Sequence, residues 1–163
     1  MKICCVIGHR TIEESKTLFE LVEKNVVNLI EKENVTTFLF GSASQFTYFC
    51  YDVISGLKTR FPNIKRIYVR AEYPIISNEY YNHLKNFYED SYFYSKKLLS
   101  NTFSYIRRDK FMIEKSDVCL FYYNANYLPN KKTKSGTCMA YEYALKKNKK
   151  TLNLCNENKN SAF

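Results

Sequence analysis

The stretch KICCVIGHRTIEES, residues 2–15, decides the reading of the fold. Lys2 to Ile7 is a short apolar run that stops at Gly8, and the polar residues after it lead into a long amphipathic segment. Thr11 and Glu14 are spaced as in a capping box, so a strand, a tight turn and a helix start are expected in succession. In the helix, Phe19, Val22, Val26, Leu29 and Ile30 recur at three- and four-residue steps and would turn one face toward a sheet. The other face is largely Glu and Lys.

The same unit recurs outward from this start. Val35 to Phe40 repeats the strand signal and stops at Gly41; Phe46, Phe49, Cys50, Val53, Ile54 and Leu57 then trace a second helical stripe, closed by Pro62. Further strands are expected at Ile64–Val69, Asp117–Tyr123 and Thr151–Leu154. Further helices are expected around Asn78 to Tyr88, Phe103 to Glu114, and Ser135 to Lys147, the last with Met139, Tyr143 and Ala144 on one face. Asn124 to Lys134 reads as a polar loop. Strand–helix alternation of this kind predicts a parallel sheet covered on both faces, because each parallel crossover needs a covering element. The expected fold is Rossmann-like: a three-layer α/β/α domain spanning residues 1–163, with a mainly parallel sheet of about five strands. Residues 75–102, crowded with Tyr, Phe, Asn and Ser, fit least well and read beyond their helix as a lid or variable insertion.

Composition narrows the function classes. The formal charge of +9 favours an anionic partner, whether a nucleotide, a nucleic-acid backbone or an acidic surface. Much of it lies in Lys131–Lys134 and Lys146–Lys150, of which the second also suits a helix C-terminus. No apolar run reaches the ~18–20 residues that cross a bilayer, and Lys2–Ile7 lacks the features of a secretory leader, so a soluble, cytoplasmic protein is expected. The six cysteines, Cys4, Cys5, Cys50, Cys119, Cys138 and Cys155, show no CxxC pair. They read as buried thiols, with neither a zinc site nor a disulfide framework, and no metal or cofactor is expected.

Three loops each follow a strand and precede a helix: Gly8-His9-Arg10, Gly41-Ser42-Ala43-Ser44 and Ser135-Gly136-Thr137. A glycine there lets backbone N–H groups approach an oxygen-rich ligand, and the following helix adds its positive end. His9 and Arg10 could add charge-assisted hydrogen bonds, and Ser42 and Ser44 could offer hydroxyls. Each loop also fits an ordinary strand-to-helix turn, His9 a structural hydrogen bond, and Ser135 or Thr137 plain N-capping. The Arg107-Arg108-Asp109 cluster offers a planar fork for phosphate or carboxylate, or a surface ion pair with Asp109 or Glu114.

Taken together, VIGHR, GSASQF, RRDKFMIEKSDVCLFYYN and SGTCMAYEYALKKNKKTLNL resemble the SLOG superfamily, and within it the small YpsA-like proteins. The likeness covers both ends and the first half of the chain and is weakest between Ile75 and Thr102. It implies a Rossmann-like sheet with a nucleotide site across the three loops, and self-association into a homo-oligomer. Relatives in the wider group include nucleotide phosphoribohydrolases, in which an arginine at the position of Arg108 supports catalysis. The acidic residues of their PGGxGTxxE-type motif correspond here to Met139 and Ala140, while Glu142 lies further along the helix. One glycine of that motif is also replaced, by Lys134-Ser135. The expectation is therefore a protein that binds a nucleotide or an NAD/ADP-ribose-derived phosphate ligand, as a sensor or sequestering protein. A nucleotide N-glycosidase using Arg108, with Glu142 or Asp117 as general acid or base, is the enzymatic alternative. Nucleic-acid binding through the basic charge and the aromatic residues is the third.

Overall fold

The computed structural model describes residues 1–95, 103–127 and 134–155. Its elements run β1 (Lys2–Gly8), α1 (Lys16–Glu33), β2 (Val35–Phe40), α2 (Gln45–Leu57), β3 (Lys65–Arg70), α3 (Asn78–Lys85), β4 (Asp90–Phe93), α4 (Ser104–Lys115), β5 (Val118–Tyr122), α5 (Gly136–Lys146) and β6 (Lys150–Asn153). The six strands form one sheet in the order β4-β3-β2-β1-β5-β6, and every neighbouring pair is parallel.

The strands alternate cleanly between two cores. Cys4 and Val6 of β1, Phe38 and Phe40 of β2, and Val118 and Leu120 of β5 face one apolar layer with Leu18, Val22, Val26 and Leu29 of α1 and Phe46, Cys50 and Ile54 of α2. Cys5, Ile7, Leu39, Cys119 and Phe121 face the other, with Met112 and Ile113 of α4 and Ala140 and Ala144 of α5. Both faces are covered, which is why the central strands read as continuous apolar runs. Right-handed crossovers explain the layering: β1 to β2 and β2 to β3 step one way along the sheet, placing α1 and α2 on one face. The connection from β4 back to β5 reverses direction, and its helix α4 lies on the opposite face across β1 and β3. That reversal carries Arg108 to the middle of the sheet.

Several local expectations shift. Thr11 and Glu14 do not cap α1: Ser15 does, its Oγ accepting from the Leu18 amide at 3.1 Å. The inward face of α1 carries Leu18, whereas Phe19 is exposed; one residue is about 100° of helix rotation. In α5 the buried positions are Thr137, Ala140 and Ala144, with Met139 and Tyr143 only partly covered. The sixth strand, β4, lies with α3 inside the segment read as a lid; residues 96–102 and 128–133, with Lys131 and Lys132, lie outside the described residues. Among the described residues no helix is long and apolar enough to cross a membrane. None of the six thiols is in a disulfide, and no group of three metal-ligating side chains is found among the described residues.

One polar network fastens the β4 edge. Glu89 accepts from Arg66 Nη2 at 2.8 Å, from the Arg66 amide, and from Lys58 Nζ at 2.9 Å; Arg66 Nη1 also donates to Ser55 Oγ at 2.7 Å. Burial alone would raise the Glu89 pKa, but these donors overcome it and hold the group at about 2. A depressed carboxylate pKa stabilises the fold fully above the unfolded value and loses that contribution as pH falls through the folded one. Glu89→Gln is therefore expected to cost about 1 kcal/mol at neutral pH, the figure being reduced for solvent screening of a partly exposed pair. In urea unfolding across pH, the gap between wild type and variant should close between the ordinary carboxylate range and about pH 2. A gap independent of pH would contradict this assignment.

Candidate functional site

Strand order reverses at β1, so the carboxyl ends of β3, β2, β1 and β5 present their loops side by side along one edge of the sheet. At the end of β1, glycine is required by packing. A Cβ on Gly8 would fall 2.2 Å from Phe46 Cδ1 and 2.6 Å from its Cγ, so the α2 ring occupies the space beside this turn. His9 is 2% exposed: its Nε2 accepts from the Asn124 amide at 2.8 Å, its ring stacks on Tyr127 at 4.1 Å between centroids, and its Nδ1 is buried with no hydrogen-bond partner among the described residues. Burial pushes its pKa down, and an amide aimed at Nε2 requires that nitrogen to be unprotonated, placing the proton of the neutral ring on Nδ1. Arg10 is exposed, and its carbonyl accepts from the Gln45 amide at 3.0 Å.

The second loop is tied inward. Ser42, Ser44 and Thr47 form a closed triangle of hydroxyls at 3.2, 2.8 and 2.7 Å, and Ser44 caps α2 by accepting from the Thr47 amide at 3.1 Å. Gln45, a residue with no expected role, bridges the two loops. Its Oε1 accepts from the Ile12 amide at 3.0 Å and its Nε2 donates to Glu14 at 2.8 Å. Gly41 is glycine because Arg108 lies against it: a Cβ there would meet Arg108 Nε and Met112 Sδ, each at 2.7 Å.

Arg108, 3% exposed, has its guanidinium engaged on both sides. Nη1 donates to the Gly41 carbonyl, while Nε and Nη2 donate to Asp109 Oδ1 at 3.1 and 2.9 Å. Burial raises the Asp109 pKa even though Arg108 works against it. Beside this clamp lies a cavity of about 160 Å³, lined by Gly41, Ala43, Tyr68, Arg70, Ala71, Glu72, Tyr73, Tyr80, Tyr105 and Arg108. Its second cation, Arg70, ends β3; Nη1 donates to the Tyr73 carbonyl, and Nε is buried with no hydrogen-bond acceptor among the described residues. Burial lowers the Arg70 pKa, a cost that an anion in the cavity would offset.

The third loop lies on the other side of α4. Ser135 caps α5, its Oγ accepting from the Cys138 amide at 3.0 Å, and Gly136 faces a small crevice shared with Ile106, Asp109 and Met139. Thr137 is buried. Glu142 stands on the surface, bound by Lys134 Nζ at 2.6 and 2.8 Å. The structure thus brings Gly41, Ala43 and Arg108 to one cavity. Gly8, His9, Arg10, Ser42, Ser44, Ser135, Gly136, Thr137 and Glu142 are not among the residues lining it. Sequence reasoning passed over Arg70 and Glu72, and considered the aromatic residues only as stacking groups in the nucleic-acid alternative. The available signal was Arg70 as the last residue of a parallel strand, at the end of the sheet where such folds bind ligands.

No curated protein matches the chain. A family model does, over residues 7–158, and it describes the YspA SLOG family. That match spans the sheet from the end of β1 through β6 and includes the cavity, and with it the chain belongs to the YspA SLOG family.

Proposed function

We propose that this chain binds a nucleotide or an NAD/ADP-ribose-derived phosphate ligand in the cavity at the ends of β2 and β3, as a sensor or a sequestering protein. One observation carries the reading: two guanidinium groups, Arg70 and Arg108, meet in one concave space that four tyrosine rings also line. Guanidinium forks suit phosphate oxygens, and aromatic faces suit a base. Glu142, the acid considered for a hydrolase, is exposed and paired with Lys134, which favours binding over cleavage. Isothermal calorimetry with AMP, ADP-ribose, cyclic ADP-ribose variants and NAD is expected to show saturable binding by at least one of them. Heat of dilution alone for the whole set would remove the proposal.

A hydrolytic reading draws on a different carboxylate. Glu72 lines the same cavity as Arg108, and N-glycosidase chemistry there would use Glu72 as its acid or base. It requires release of free base from the bound nucleotide, abolished in Glu72→Gln; nucleotide recovered intact after prolonged incubation would discard it.

A further inference from the structure

We propose that Arg70, and not Arg108, receives the anionic group of the ligand, and that the ligand is a nucleoside monophosphate: one phosphoryl group held inside the cavity and one planar base lying on the tyrosines at its mouth. The inference rests on the proposed function and assigns its parts. Arg108 commits three of its five N–H donors to Asp109 and the Gly41 carbonyl, and its charge is paired locally with the Asp109 carboxylate. Arg70 is the opposite case: among the described residues it has no carboxylate partner, and its buried Nε is left without an acceptor. A buried donor on a cation is costly to leave unpaired, and a phosphate oxygen is the acceptor such a fork fits.

Size and exposure point to the rest of the ligand. About 160 Å³ is well below the several hundred Å³ of sites that enclose a drug-sized molecule, so the cavity takes a phosphate and part of a sugar, and the remainder must lie outside. Outside are Tyr73, Tyr80 and Tyr105, with relative exposures of 60%, 41% and 46%. Large exposed rings grouped around a polar cavity offer stacking surface for a base. Of the two described cations that line it, Arg70 alone has no carboxylate partner among the described residues, so the site matches one phosphoryl group better than the paired phosphates of a dinucleotide.

The test compares affinities for AMP, adenosine and inorganic phosphate in wild type, Arg70→Gln and Arg108→Lys, with circular dichroism confirming that each variant folds. In wild type, AMP should bind about 10–100-fold more tightly than adenosine, the margin of a charge-assisted contact. Arg70→Gln should collapse that ratio toward one and abolish phosphate binding, while Arg108→Lys should weaken AMP and adenosine by similar factors and leave the ratio in place. An unchanged ratio in Arg70→Gln, or a collapse in Arg108→Lys instead, overturns the inference even where nucleotide binding itself is observed. Phosphate binding that depends on Arg70 in a protein indifferent to all nucleotides would keep Arg70 as the anion site and sink the nucleotide reading. Wild type that binds neither phosphate nor nucleotide sinks both.

Discussion

Arg108→Ala is expected to destabilise the protein by about 3–5 kcal/mol, the range for removing one partner of a buried ion pair. The side chain is 3% exposed, and its loss strands two acceptors, the Gly41 carbonyl and the Asp109 carboxylate. The pH dependence follows from Asp109. Burial already raises its pKa above the ordinary carboxylate value, and Arg108 is the group that opposes the rise. Without Arg108 the folded pKa climbs further, so between the unfolded and folded values the native state binds the extra proton and stability falls as pH rises. The loss in Arg108→Ala should therefore be largest at neutral pH and smaller near pH 4, where Asp109 is protonated on folding at little cost. For a chain of this length the neutral-pH loss corresponds to roughly 10 °C in melting temperature. Adding Asp109→Ala should restore part of it, since no unpaired carboxylate then remains buried. A loss below about 1 kcal/mol, the same at both pH values, would show that the clamp is not formed in solution.

Gly8→Ala is the second large effect, expected to cost about 3 kcal/mol through overpacking. The added methyl would sit 2.2–2.8 Å from three atoms of Phe46, including its Cβ and Cγ, which cannot swing away as a flexible tip would. Phe46 is fully buried, its ring 5.3 Å from that of Tyr122, so relief requires α2 to shift. Because α2 begins at the loop that carries Gly41, Ala43 and Ser44, that shift also disturbs the cavity. Chemical denaturation of Gly8→Ala, Phe46→Leu and the double variant reads the coupling directly: the double variant should be more stable than the sum of the single losses predicts. Simple additivity would place the origin of the glycine elsewhere.

What could be read from the chain follows from which forces are local. The runs at β1, β2 and β5 are apolar throughout because both faces of each strand are buried, and such runs stand out without knowledge of their neighbours. Strand β4, Asp-Ser-Tyr-Phe at the edge, is short and half polar, and its pairing with β3 supplies the order that its own residues do not signal. The capping of α1 was misplaced because Thr11 and Glu14 satisfy the same spacing rule as a true box, and Ser15 wins through the Leu18 amide. At the site, Arg108 was legible from its cluster and Gly41 from its place after a strand. The purpose of Gly8 was not, because Phe46 is far along the chain and only packing brings the two together. Arg70 and Tyr80 come from the successive elements β3 and α3 and Tyr105 from α4 further along the chain, and the sheet order is what brings α4 to the same cavity.

The most direct test is a ¹H–¹⁵N NMR titration of the protein with AMP. Binding in the cavity is expected to move the amides of Gly41, Ala43, Arg70, Ala71 and Tyr105 in a saturable way and to leave the outer face of α1 unmoved. Saturable shifts confined to other surfaces, or none up to millimolar nucleotide, would contradict a ligand site between β2, β3 and α4.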